Sequence, residues 1–137
     1  MKTNFLLILA FCLSLNVFGQ AKPVKILFDL SSAEVEVHES TIRHIEMMSE
    51  SYPESEFEVV LYGGSIDMVL AEKSTVAEEV KKLAAKDNVS FVICEFTLKR
   101  KNVPVSKLIS GVNTVPDGIL ELAQKQQEGW VYIKESN

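Results

Sequence analysis

Residues 89–100, VSFVICEFTLKR, decide how the chain is read. Residues 89–94 are apolar apart from Ser90 and rich in β-branched side chains, the composition of a strand covered on both faces. The polar and basic residues after Cys94 predict a helical turn over 97–101, stopped by Val103 and Pro104. A strand buried on both sides needs a helical layer above and below it, so a βαβ arrangement is the first expectation.

The same grammar recurs on either side. Upstream, residues 74–86 place Val76, Val80, Leu83 and Ala84 on one helical stripe, with Glu78, Glu79, Lys81 and Lys82 facing water. Before that, residues 57–62 (FEVVLY) predict a strand closed by Gly63 and Gly64, and residues 65–70 a short helix. Residues 40–51 carry Ile42, Ile45 and Met48 near helical spacing, with Ser40 or Thr41 as the cap and Pro53 as the stop. Glu34, Glu36 and Glu39 read as a solvated acidic loop. Residues 24–30 (VKILFDL) predict a buried first strand. Downstream, residues 105–109 predict a turn and 112–115 a brief strand. Residues 117–128 then predict a helix ended by Gly129 in the C′ position, and residues 130–133 a last short strand. Strands separated by helices predict one three-layer α/β/α domain over residues 20–137, with a mostly parallel sheet of about five strands.

The 137 residues suit one domain, and 47% apolar content with only six glycines and four prolines excludes disordered and collagen-like classes. A net charge of −5 argues against nucleic acid as a partner. Residues 1–19 have the layout of an export signal: Lys2, an apolar run over 5–18, then Val17 and Gly19 at the −3 and −1 positions of a cut before Gln20. The apolar run is shorter than the roughly 20 residues of a membrane span. Lipid attachment at Cys12 is disfavoured by the bulk of Phe11. The expectation is therefore an exported chain, periplasmic or secreted, with no membrane contact after cleavage. Removal of the signal leaves Cys94 as the only thiol, either buried and inert or chemically meaningful.

In open α/β sheets ligands bind beyond the carboxyl ends of the strands, which selects residues 29–32, 62–65 and 94–97. Gly63, Gly64 and Ser65 enter a helix, and their amides are candidates for holding an anion, although glycine pairs also make plain tight turns. Cys94 ends a strand before a helical turn, where a thiolate is favoured; Lys99, Arg100 and Lys101 add positive potential, while Glu95 opposes it. His38 and His44 lack partners at metal-ligand spacing and read as surface residues, so no metal and no cofactor is expected. Phosphate-loop, CxxC, HExxH and catalytic-triad patterns are absent.

The runs FVICEFTLKRKNV, GVNTVPDGILELAQKQQEGWVYI and FEVVLYGGSIDMVL resemble the DsrE/DsrF-like family of sulfur-relay proteins, and the likeness extends from Val24 to Ile133. The strand-ending Cys94, Leu98, and the turn of Val115, Pro116, Asp117 and Gly118 into the final helix carry it most specifically. The resemblance implies a parallel α/β protein that assembles into homo-oligomers, often trimers or hexamers. It also implies that Cys94 holds a persulfide and passes sulfur to a thiol partner protein, with Tyr62, Gly63, Gly64, Ser65 and Thr97 shaping the substrate pocket. The alternative is a non-enzymatic module that binds a small anion or a partner, with a structural cysteine. The export signal and Glu95 set this chain apart from the best-understood relay members.

Overall fold

A computed structural model describes residues 22–136. The expected export signal and Cys12 lie outside the described residues. The elements run β1 (Lys25–Leu30), α1 (Val35–Ser51), β2 (Glu56–Leu61), a 3-10 segment (Gly63–Val69), α2 (Ala77–Ala84) and β3 (Val89–Cys94). They continue through α3 (Glu95–Lys101), a 3-10 turn (Val105–Lys107), β4 (Asn113–Val115), α4 (Gly118–Gln127) and β5 (Val131–Lys134).

The five strands form one all-parallel sheet in the order β4-β3-β2-β1-β5. From β1 to β4 each crossover steps in the same direction, so α1, α2 and α3 fall on one face. The last crossover returns across the sheet, which puts α4 on the other face. The two faces are correspondingly unequal. Ile26, Phe28, Leu30, Phe57, Val59, Phe91 and Ile93 pack with Val37, Ile45, Val80, Leu83 and Leu98 from the three helices. Leu27, Val60 and Val92 meet Leu122 and Trp130 on the α4 side, with the partly buried Tyr62 and Val115 beside them. Burying each large aliphatic or aromatic side chain contributes about 1.5–3 kcal/mol, so the three-helix face supplies most of the stabilisation.

Two local expectations are corrected. Helix α1 starts at Val35, not Ser40, so Glu36 and Glu39 belong to its first turns, where carboxylates suit the positive helix end. Ser40 and Thr41 lie inside the helix and donate back to the carbonyl of Val37 at 3.0 and 2.8 Å. His38 is buried, not a surface residue, because its Nε2 bonds the Ser32 carbonyl at 2.8 Å. At the far end of the chain the sequence expectation holds. Gly129 has φ +91°, and the amides of Gly129 and Trp130 bond the carbonyls of Gln126 and Lys125, the pattern that closes a helix and turns the chain into β5.

Candidate functional site

Because every strand points the same way, all the carboxyl ends share one rim of the sheet. On the α4 face that rim carries Asp29 from β1, Tyr62 just beyond β2, Cys94 from β3 and Lys134 from β5.

Cys94 is 5% exposed and is the N-cap residue of α3, with extended backbone angles and no side-chain capping bond. It is the only free cysteine among the described residues. The first turn of α4 lies directly on it: a Cβ added to Gly118 would stand 3.2 Å from the Cβ of Cys94 and 3.5 Å from that of Tyr62. Only a residue without a side chain lets the helix start this close. Asp117 fixes the start by accepting from the amide of Ile119 at 2.9 Å and that of Leu120 at 3.4 Å. Two residues along α3 Phe96 is 60% exposed, and Ile119 and Leu120, which follow Gly118 on α4, are also exposed. The carboxylate of Glu95 is engaged elsewhere, accepting from Thr114 Oγ1 at 3.0 Å and pairing with Lys99 at 3.8 Å.

The sequence-selected turn comes to the same rim. The amide of Gly63 donates to Thr97 Oγ1 at 3.0 Å, that of Gly64 to the Ser31 carbonyl at 3.1 Å, and that of Ser65 to the Tyr62 carbonyl at 3.3 Å. Each amide has one proton, so none of the three remains for an anion. Ser65 Oγ donates to the Leu30 carbonyl at 2.8 Å and accepts from the Tyr62 amide at 3.1 Å. The turn is therefore a latch that ties the ends of β1 and β2 to α3 through the buried hydroxyls of Ser65 and Thr97.

Sequence reasoning selected Asp29 but missed its partners. Tyr132 donates its phenol proton to Asp29 Oδ2 at 2.6 Å, and Lys134 Nζ lies 3.0 Å from Oδ1 and 2.8 Å from Ser31 Oγ. The same ammonium stands 5.5 Å from the centre of the Tyr62 ring. These contacts span 103 and 105 residues and exist only because β5 pairs with β1. The bond to Asp29, helped by burial and by the negative charge, pushes the Tyr132 phenol up to about 12. Spectrophotometric titration should accordingly find one of the three tyrosines ionising late, and Tyr132→Phe should remove that late step. A late step that survives Tyr132→Phe would mean that the bond to Asp29 does not form. Since the folded phenol holds its proton more tightly than the unfolded one, the stability it contributes is complete below about pH 10 and is lost as pH rises toward about 12.

Fold and rim together define a parallel α/β protein whose one cysteine among the described residues ends an inner strand, overlaid by the start of the last helix. A family model for the DsrE/DsrF-like family matches residues 24–134, and the chain belongs to that family. Among solved structures it is similar to a protein of unknown function from Methanobacterium thermoautotrophicum, with TM-score 0.75, 22% identity, and coverage of 81% of this chain and 98% of that one. It is also similar to the ychN protein from E. coli, with TM-score 0.66, 16% identity, and coverage of 83% and 99%. A conserved protein of unknown function from Bacteroides thetaiotaomicron matches with TM-score 0.68, 13% identity, and coverage of 84% and 99%. At these identities the likeness is one of fold. No curated protein matches the chain.

Proposed function

We propose that this protein is an exported sulfur carrier in which Cys94 takes up sulfane sulfur and yields it to the thiol of a partner protein. The observation that carries the reading is the placement of the one free thiol of the described residues at the carboxyl end of β3, beneath the start of α4, in a chain of the DsrE/DsrF-like family. In the loading step the Cys94 thiolate attacks the outer sulfur of a persulfide or polysulfide. A new S–S bond forms on Sγ, the donor's S–S bond breaks, and the donor leaves as a thiolate with the electron pair. In the unloading step an acceptor thiolate attacks that outer sulfur, and Cys94 leaves as thiolate. No net oxidant or reductant is required. The persulfide sulfur stands about 2 Å beyond Sγ, which brings it closer to a partner than the thiol itself. Tyr62 borders the cysteine, while the 63–65 turn and Thr97 hold the rim in shape. The exposed Phe96, Ile119 and Leu120 supply contact area for the partner or for further copies of the chain, as trimers or hexamers.

The burial of Cys94 favours a second reading, a non-enzymatic module with a structural cysteine. Intact-mass analysis after exposure to polysulfide separates the two. The carrier gains one sulfur atom, loses it on reduction, and gains none as Cys94→Ser. A folded protein that takes up nothing, beside an unfolded control that loads, leaves the module reading.

A further inference from the structure

Glu58 is buried on the α4 face, and its Oε1 has no hydrogen-bond partner. Its Oε2 is served by Lys125 Nζ at 3.0 Å and Ser90 Oγ at 3.2 Å. A carboxylate oxygen shut away from water with no donor is expensive, and such atoms are rare in folded proteins. One turn before Lys125 on α4, the side chain of Glu121 is 19% exposed and has its Oε1 3.7 Å from Lys125 Nζ, the same ammonium that serves Glu58. Two ionised carboxylates only accept. One proton between them turns Glu121 into a donor and gives the orphaned oxygen its partner.

We propose that a proton held by Glu121 is given to the orphaned oxygen of Glu58, and that this contact, beside Lys125, is a pH-sensitive fastening of α4 over Cys94. Burial, then the charge of Glu58, holds the Glu121 carboxyl above its ordinary 4.5, with Lys125 opposing. Burial alone would weaken the Lys125 ammonium, yet the carboxylates of Glu58, Glu121 and Glu128 outweigh it and hold the group above 10.5. The remaining charges near the pair come from every neighbouring element. Glu56 of β2 is tied to Lys25 of β1 at 3.0 Å, Asp87 precedes β3 beside the same hollow, and Asp29 and Lys134 satisfy each other at the carboxyl rim. Only one ammonium thus lies between the two acids. When the proton leaves to water, Glu121 is repelled by Glu58 and driven outward, and the tie of α4 to β2 falls to the Lys125–Glu58 ion pair alone. Gly118, at the start of the same helix, is the residue resting on Cys94.

The unfolded chain releases this proton near 4.5, the folded chain later. The stability the pair contributes is therefore complete below 4.5 and is lost as pH rises through the folded value. Carbon-detected titration of wild-type protein should place the Glu121 carboxyl midpoint above 4.5, and Glu58→Gln should lower it. An ordinary midpoint in wild type overturns the shared proton. Labelling of Cys94 by 4,4′-dithiodipyridine across the same range tests the fastening in wild type and Glu121→Gln, whose amide donates at every pH. Both proteins present the same thiol, so the ratio of their rates reports opening. The expected ratio is near one at about pH 4 and rises several-fold above neutrality. A flat ratio overturns the fastening. Neither readout depends on whether Cys94 carries sulfur, so failure here and failure of the carrier reading are told apart.

Discussion

Phe91→Ala should cost about 3–5 kcal/mol of folding stability, the largest loss expected from any single truncation in the domain. Phe91 is fully buried at the middle of β3, with Val59 of β2 as its Cα partner, on the face covered by three helices. Removing the ring deletes its transfer energy and leaves a cavity that two neighbouring strands cannot close, because their hydrogen-bond register fixes their spacing. Domains of this size have about 5–15 kcal/mol in total, so the variant would lose about a fifth or more of its stability. Denaturant midpoints at unchanged slope are the measurement. Ile119→Ala, at an exposed position beside the cysteine, should stay within about 0.5 kcal/mol. Comparable losses for the two variants would refute the assignment of the core to the three-helix face.

The second large effect is expected from Gly64→Ala, at about 2–3 kcal/mol. The new Cβ would lie 3.0 Å from both the Ala33 nitrogen and the Ser31 oxygen and 3.1 Å from the Ala33 Cβ. The two shortest are backbone contacts, and the Gly64 amide is bonded to that same Ser31 oxygen, so the loop cannot step aside without breaking the bond. The displacement would reach the Thr97 hydroxyl through Gly63 and loosen the rim around Cys94. Gly129→Ala makes a useful comparison. Its Cβ would meet nothing within 4 Å, leaving only the strain of φ +91°, about 1–2 kcal/mol. Thermal melts of the pair should rank Gly64→Ala as the weaker protein, and the opposite ranking would remove close approach as the reason for Gly64.

The layered fold was legible because apolar runs such as 89–94 have one physical solution, a strand with a helix on each side. The parallel sheet was legible because helical stripes such as Val76, Val80 and Leu83 separate those runs. The start of α1 was not. Ser40 and Thr41 carry hydroxyls that suit a cap, and only the position of the Val37 carbonyl reveals that they bond backward from inside the helix. His38 was misjudged for a related reason, since its partner is a backbone carbonyl and side-chain type gives no hint of it. The rim was legible as a place, since parallel strands must end together, and Tyr62, Gly63, Thr97 and Cys94 do gather there. What its groups do was hidden. The amides of Gly63 and Gly64 find acceptors on Thr97 and Ser31, which lie far from them in sequence. The Glu58–Glu121 pair likewise depends on which face of β2 the last helix covers.

The placement of β5 beside β1 has a consequence for how the molecule is made. The carboxylate of Asp29 leaves the ribosome 103 and 105 residues ahead of Tyr132 and Lys134, the groups that cap it. A chain cut short before residue 131 would have to bury that charge alone or leave β1 as a raw border. Copies that stop before residue 131 should therefore stay open at that border, so that closure of the sheet waits for β5.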